Sequence, residues 1–316
     1  MDQGINRARF AGSWYPADSG EVQALLARAV TAAPSPPDGS RPRVAVLPHA
    51  GLSYSARGQE AFWHGRAALC GGYPLGDSPG GAPPGAISST DTCPEAIVIL
   101  APSHYEPLAP DATVGAAFRG HQAAEAVLSG LPLCLGDRED RSTLEREHAV
   151  ELLLPALAAH GVSSPVAAVL VSAFRSTEAV RAAAQRLLER LSREGIRSER
   201  VLWLVSSDFT HYGPRFGFQP HGGEGYGVVG PLVEREDRAV AEAAASGGVE
   251  RFWSAFGRGS TVCGRYAILL ALAILEATAE GRRGRVLTYY TSADLARDPR
   301  NERDFVCYAT VEVATP

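Results

Sequence analysis

Three histidines in this chain occupy one kind of position, just after a short run of apolar, β-favouring residues. They close the segments Val44-Ala45-Val46-Leu47-Pro48-His49, Ile97-Val98-Ile99-Leu100-Ala101-Pro102-Ser103-His104 and Val201-Leu202-Trp203-Leu204-Val205-Ser206-Ser207-Asp208-Phe209-Thr210-His211. Runs of this length read as strands buried on both faces of a parallel sheet. In such sheets ligands sit outside the carboxyl ends of the strands. Imidazoles from His49, His104 and His211, with the carboxylate of Asp208, would therefore converge on one crevice from distant parts of the sequence. Those donor types in one place point to a metal site.

Each piece also has a plainer reading. A histidine such as His49, after Pro48 and before Ala50-Gly51, can simply hydrogen-bond a loop. His104 has the same surroundings. Asp208 and His211 are three residues apart, so one helical turn would set them on one face. There they would bind a metal, or the carboxylate would fix the imidazole tautomer for proton transfer. Alternatively Asp208 is only the N-cap of a short helix. Cys263 precedes a long apolar run, with Arg265 two residues on. A helix N-terminus and a cation favour a thiolate, which suits a metal ligand or a nucleophile. A buried structural thiol is the competing reading. Glu147-His148 is a weak motif, because it lacks the spacing of two histidines on one helix face. His64, His121, His160 and His221 have no evident partners and read as surface or loop residues.

The elements that must position these groups alternate along the chain. Helices are expected over about Gly20 to Ala32 with Ser19 as the cap, Ser53 to Leu69, Glu151 to Ala159, Thr177 to Arg193 and Val233 to Ala245. Another opens at Gly264. Besides the three histidine strands, Asp111 to Phe118, Val127 to Leu135, Pro165 to Val171, Arg285 to Thr291 and Phe305 to Val313 read as strands. This alternation predicts an α/β fold with a mostly parallel or mixed sheet flanked by helices. No linker with a composition shift divides the chain, so one domain is expected over residues 1–316. Gly71 to Pro94, rich in Gly, Pro, Ser and Asp, reads as a surface insertion. Gly213 to Gly230 reads as a loop shaping a pocket mouth.

Composition narrows the function. The 316 residues are 45% hydrophobic, enough for a sizeable core, and carry a formal net charge of −5. No basic block or basic helix marks a nucleic-acid surface. Tyr266 to Leu275, the longest apolar run, is short of the roughly 20 residues that span a bilayer. The opening Met1-Asp2-Gln3-Gly4 lacks the regions of a signal peptide, so a cytoplasmic location is expected, with no membrane partner. The five cysteines contain no CxxC pair and do not read as a disulfide framework. No phosphate-binding GxxxxGK[ST] is present, and Gly222-Gly223-Glu224-Gly225 follows no strand, so it is no dinucleotide fingerprint.

Six pieces, in order, resemble the Memo family, also called protein B of the AmmeMemoRadiSam system. They are Gly12-Ser13-Trp14-Tyr15-Pro16, Pro48-His49-Ala50-Gly51-Leu52-Ser53-Tyr54-Ser55, Pro102-Ser103-His104, Glu147-His148-Ala149-Val150-Glu151, Ser206-Ser207-Asp208-Phe209-Thr210-His211-Tyr212-Gly213 and Cys263-Gly264-Arg265. The resemblance runs over nearly the whole chain. Leu52, Ala56, Ala149 and Ala267 depart from its usual residues without removing a proposed ligand.

That family resembles the class III extradiol dioxygenases, which hold non-haem Fe(II) with two histidines and a glutamate. The resemblance implies His49, His104 and Cys263 as metal ligands, with the thiol in place of the carboxylate. It implies Asp208 and His211 as further ligands or acid/base groups. Trp14, Tyr15 and Tyr54 would line an aromatic pocket, with Arg265 as the neighbouring cation. Fe(II) is the implied cofactor; copper and zinc also suit this donor set. The implied reaction joins O2 to an aromatic or phenolic small molecule, and the implied partners are AMMECR-type and radical-SAM proteins. The alternatives are a module binding phosphotyrosine-type peptides, disfavoured by the lack of an Arg cluster, and a zinc hydrolase.

Overall fold

The computed structural model describes residues 4–30, 41–64, 93–256, 260–278 and 282–315. The expected insertion at 71–94 lies almost wholly outside them. In chain order the elements are β1 (Ile5–Asn6), α1 (Ser19–Ala29), β2 (Arg41–Leu47), α2 (Leu52–Trp63), β3 (Ala96–Pro102), β4 (Thr113–Gly115), β5 (Gly120–Ala123), β6 (Ala126–Ser129), β7 (Arg138–Glu139), α3 (Arg141–Arg146), α4 (His148–Glu151), α5 (Leu154–Ala159), β8 (Val166–Val171), α6 (Thr177–Arg193), β9 (Val201–Ser206), β10 (His211–Tyr212), α7 (Tyr226–Ala245), α8 (Val249–Ala255), α9 (Arg265–Thr278), β11 (Arg283–Thr291) and β12 (Phe305–Thr315).

The main sheet runs β10-β12-β2-β9-β3-β8-β4-β7, with β11 paired to β12. Its centre is parallel: β9 lies between β2 and β3, and β8 flanks β3. The outer pairs β12 with β2 and β4 with β8 are antiparallel. A small sheet, β1-β5-β6, stands apart. The fold is therefore the expected α/β class with a mixed sheet.

Side chains on the central strands alternate between two cores, as the period of two requires. Val44, Val46, Val98, Leu100, Val201, Trp203 and Val205 face the core of α6, α7, α8 and α9. Ala45, Leu47, Ile97, Ile99, Leu202 and Leu204 face that of α1, α2 and α5. Helix α6 shows why such segments fold as they do. Ser176 caps its first turn by accepting from Ala179 N, and Val180, Ala183, Ala184, Leu187 and Leu191 form its buried stripe at helical spacing. Helix α9 is apolar on nearly every side because it packs across β3, β9, β2 and β8 and against α6 and α8. Among the described residues no helix is long and apolar enough to cross a membrane.

Several boundaries differ from expectation. The cap of α1 is Asp18, not Ser19. The strand expected over Val127 to Leu135 is four residues, Ala126–Ser129, and that over Asp111 to Phe118 is three, Thr113–Gly115. The helix expected from Glu151 is two short helices, α4 and α5. Helix α7 begins at Tyr226, inside the expected mouth loop, and carries Pro231 in its first turns. As the sixth residue of the helix it lies past the unpaired first amides, so it leaves the Gly227 carbonyl without its i+4 amide donor. Helix α8 had no expectation. His121 and His160, read as surface residues, are buried. His121 faces the Val166 carbonyl and Asn6, and His160 pairs with buried Glu60 at 2.7 Å.

One close approach ties a helix to the strand end that carries His49. A Cβ on Gly58 of α2 would lie 2.5 Å from Pro48 Cγ, and Thr310 Oγ1 donates to the Gly58 carbonyl at 2.7 Å. Gly58→Ala is expected to lose about 1–3 kcal/mol by overpacking. An unchanged midpoint in equilibrium denaturation would refute this close-approach account.

Candidate metal centre

The register places Leu47 beside Ser206 and Val205 beside Leu100, so β2, β9 and β3 end at one edge. His49, Asp208 and His104 follow those ends by two residues each. The site is thus assembled where three ladders run out, and each loop must find other partners for its backbone.

Asp208 supplies the first. Its Oδ1 accepts from His49 N at 2.9 Å, while Asp208 N donates to Cys263 Sγ at 3.2 Å. Cys263 Sγ stands 3.4 Å from His49 Nε2. The turn holding Cys263 lies against β9 because Gly264 has no side chain: a Cβ there would sit 2.5 Å from both the Ser206 carbonyl and Ser207 Cβ.

The histidine rings are oriented through Nδ1. Ser206 Oγ donates to the Ala149 carbonyl at 2.5 Å, so its one proton is committed. The 2.8 Å contact between His49 Nδ1 and Ser206 Oγ then requires Nδ1–H as donor, leaving a lone pair on Nε2. His104 Nδ1 meets Glu147 Oε1 at 2.9 Å, and the other Glu147 oxygen accepts from His104 N at 2.6 Å. A carboxylate accepts only, so His104 also keeps its Nε2 lone pair. His211 Nδ1 lies 3.0 Å from the Phe209 carbonyl and 3.2 Å from the Thr261 carbonyl, which imposes the same tautomer.

Donor atoms of His49, His104 and Cys263 all lie within 4.8 Å of one another. A tetrahedral ion with bonds of about 2.0–2.3 Å spaces its donors about 3.3–3.8 Å apart, and the 3.4 Å between His49 Nε2 and Cys263 Sγ falls in that range. Two imidazole lone pairs and a thiol sulfur therefore fit a transition-metal ion. A second group, His104, Glu147 and His148, is equally close. Glu147 already accepts from His104 N, His104 Nδ1 and Ala149 N, so its role is to hold the His104 ring.

The surroundings set the charges. Burial pushes the His49 imidazolium well below its usual range, helped by His104 and His148. Burial would raise Glu147, but the hydrogen bonds it accepts from His104, with the nearness of His148, outweigh it and hold the carboxylate ionised. Burial raises Asp208 against the pull of His211. Cys263 is pushed up, first by burial and then by Asp208. The Arg265 guanidinium, held by the Ser260 and Val262 carbonyls, does not offset that burial. A bound cation is what would favour ionisation of that sulfur.

A crevice of about 500 Å³ opens above these groups, lined by Trp14, His49, Tyr54, His104, His148, Asp208, His211, Arg215, Phe216, Glu302, Asp304 and Tyr308 among others. Trp14 and Tyr54 are exposed at 39% and 44%, as open aromatic walls. Trp14 is presented by a turn that Glu151 clamps. The Glu151 carboxylate accepts from Arg9 N, Phe10 N and Tyr15 Oη at 2.8–3.0 Å. Tyr15, expected in the pocket, is this buried clamp and does not line the crevice. Arg265 does not line it either: its guanidinium donates to the Ser260 and Val262 carbonyls and lies over the Tyr266 ring. Asp208 and His211 share no helical turn, since residues 207–210 are irregular and His211 begins β10. The tautomer of His211 is accordingly set by carbonyls, not by Asp208.

His148 is the crevice group that the sequence reading undervalued. Its ring stands 4.5 Å from His104 and 4.7 Å from Trp14. Its Nδ1 is 3.1 Å from Glu147 Oε1 but off-line, so it makes no hydrogen bond. The signal was the adjacency of Glu147 and His148 to each other, which acquires meaning only once Glu147 is seen gripping His104.

Behind the site, Asp237 of α7 accepts from Thr210 Oγ1 at 2.7 Å and from Tyr289 Oη at 3.1 Å. Burial raises its pKa from 3.8 to about 6. The unfolded chain releases this proton near the ordinary aspartate value, whereas the folded protein keeps it to about 6. Between those values the unfolded state gains with rising pH. Stability is expected to fall by up to about 3 kcal/mol as pH rises through that window, and Asp237→Asn should remove the fall. Denaturation midpoints from pH 4 to 7 that are equally steep in both proteins would contradict it.

Known proteins place the chain. Residues 86–312 match the family described as Memo-like protein, a span that includes His104, Glu147, His148, Asp208, His211 and Cys263 but not His49. A MEMO1 family protein of Schizosaccharomyces pombe is 26% identical over 231 residues, 69% of this chain and 64% of that protein. The chain thus spans a little under two thirds of that relative. The memo-1 homolog of Caenorhabditis elegans is 26% identical over 286 residues, 85% of this chain and 71% of that protein. A crystal structure of an uncharacterized protein from Escherichia coli K12 is similar at a TM-score of 0.36 and 12% identity, covering 71% and 86% of the two chains. With a family match over more than two thirds of its length, this chain belongs to the Memo-like family.

Proposed function

We propose that the crevice is the metal centre of a redox enzyme resembling the extradiol dioxygenases, acting with O2 on an aromatic or phenolic small molecule. The observation that carries the reading is the convergence of ring nitrogens of His49 and His104 with the Cys263 sulfur, beside an aromatic-walled crevice that both histidines line. His49, His104 and Cys263 would hold the ion. Fe(II) is the first candidate, and copper or zinc would accept the same donors. When bound, the metal supplies Lewis-acid and redox chemistry to small ligands beside it.

The rest falls to the chain's own residues. Trp14, Tyr54 and Tyr308 offer faces and edges for a planar ring. His211 Nε2, its Nδ1 proton committed to carbonyls, is set to accept a phenolic proton. Asp208, held at His49 N, keeps Cys263 and His49 in mutual register. Association with AMMECR-type and radical-SAM proteins is supported by the sequence resemblance alone.

A phosphotyrosine-peptide module is the weaker reading. Among the described residues lining the crevice Arg215 is the one Arg or Lys, and Glu302 and Asp304 line it too; a dianionic phosphate is disfavoured there. A zinc hydrolase would need neither O2 nor a redox-active ion.

The test is elemental analysis of protein prepared anaerobically, wild type beside Cys263→Ala. Near-stoichiometric iron or copper is expected in the wild type and should be lost in the variant, with the fold retained by circular dichroism. Stoichiometric zinc, with turnover independent of O2, would favour the hydrolase. Absence of metal from both proteins, with reconstitution also failing, would sink the metal-centre reading.

A further inference from the structure

The segment 207–211 is neither helix nor ladder until its last residue, yet each of its backbone amides has a partner. Ser207 N donates to the Leu47 carbonyl and Phe209 N to the Cys307 carbonyl. Asp208 N donates to Cys263 Sγ, and His211 N to Thr261 Oγ1. The remaining amide, Thr210 N, points at Asp237 Oδ2 across 3.4 Å, and the Thr210 hydroxyl donates to Asp237 Oδ1 at 2.7 Å. Five amides are thus satisfied by four different pieces of the chain. Three of those pieces are strands β2 and β12 and the Thr261–Cys263 turn. The fourth, α7, hydrogen-bonds the segment through one carboxylate.

Asp237 is conspicuous in other ways. It is almost fully buried, and its partners Thr210, Tyr289 and the Cys307 thiol are neutral. A carboxylate so placed is costly to bury, and a neutral side chain would fill the space more cheaply. Its bonds fall on the residue between Phe209, whose carbonyl fixes His211 Nδ1, and His211 itself.

We infer that Asp237 is a positioning residue of the crevice: through Thr210 it holds the Phe209 carbonyl against His211 and so keeps His211 in the tautomer that presents a bare Nε2. Asp237 touches neither the crevice nor the proposed ligands; it acts through Thr210. The statement about the ring concerns the chain alone. Only its consequence for a bound substrate rests on the metal-centre reading.

The tautomer is read directly by long-range proton–nitrogen NMR of the 15N-labelled, metal-free protein at neutral pH. Wild type is expected to show His211 with a protonated Nδ1 and an unprotonated Nε2. Thr210→Val, which keeps the branched shape and removes the hydroxyl, and Asp237→Asn, which sets an amide donor among donors, should shift those resonances toward a tautomer mixture. Thr210→Ser should restore the wild-type pattern. The buried His121 and His160, remote in the fold, should be unchanged in all four proteins, which separates positioning from general loosening. His211 signals unmoved in both Thr210→Val and Asp237→Asn would overturn the inference, as would equal disturbance of His121 and His160. Metal uptake by the same four proteins on reconstitution keeps the two readings apart. A wild type that takes no iron, copper or zinc while His211 responds to the variants defeats the metal centre alone. Full metal loading with an indifferent His211 defeats the positioning role alone.

Discussion

Three parallel strands that end level with one another leave three sets of backbone groups without a ladder, and this is the constraint on which the site depends. Beyond Leu47, Pro102 and Ser206 the chain must pair its amides elsewhere or expose them. It does so by crossing over. Asp208 takes the His49 amide, Glu147 takes the His104 amide, and Cys263 Sγ takes the Asp208 amide. The acids and the thiol that close these gaps are the groups that give the crevice its chemistry. Stability at the sheet edge and preorganisation of the site are one hydrogen-bond network.

A second regularity follows. His49, His104 and His211 are each engaged at Nδ1, by a hydroxyl, a carboxylate and two carbonyls respectively. The partners differ, and the outcome is the same: a lone pair on Nε2. Neutral imidazoles with fixed tautomers are what a metal or a proton acceptor requires. Burial of His49 works in the same direction by disfavouring the imidazolium. Aromatic groups then close the walls, and the clamp of Glu151 on the N-terminal turn brings Trp14 across to them.

Much of this was legible in the sequence. The apolar runs ending in His49, His104 and His211 marked the strands and their carboxyl ends, because burial on both faces leaves a continuous apolar signature. Cys263 before the apolar helix was recognisable as a group apart. What failed did so for physical reasons. Asp208 and His211 have helical spacing, but the amides of 207–211 find partners on four other segments, and that competition keeps the segment out of a helix. Tyr15 and Arg265 are sequence neighbours of site residues whose side chains turn away, one to a buried carboxylate and one to the carbonyls of its own turn. His121 and His160 looked partnerless because Asn6, Val166 and Glu60 lie far off in sequence.

The sequence by itself determined the types of the main strands and long helices, the alternation that makes an α/β fold, and the residue kinds available at the strand ends. Those depend on local periodicity, which a linear chain carries in full. The tertiary structure alone decided the order β2-β9-β3, and with it the meeting of His49, Asp208, His104 and Cys263. It also decided which nitrogen of each imidazole is free, that His148 stands in the crevice and Tyr15 does not, and that Asp237 lies behind Thr210. A hydrogen bond is directional and short, so its partner is known only when the chain has folded back on itself.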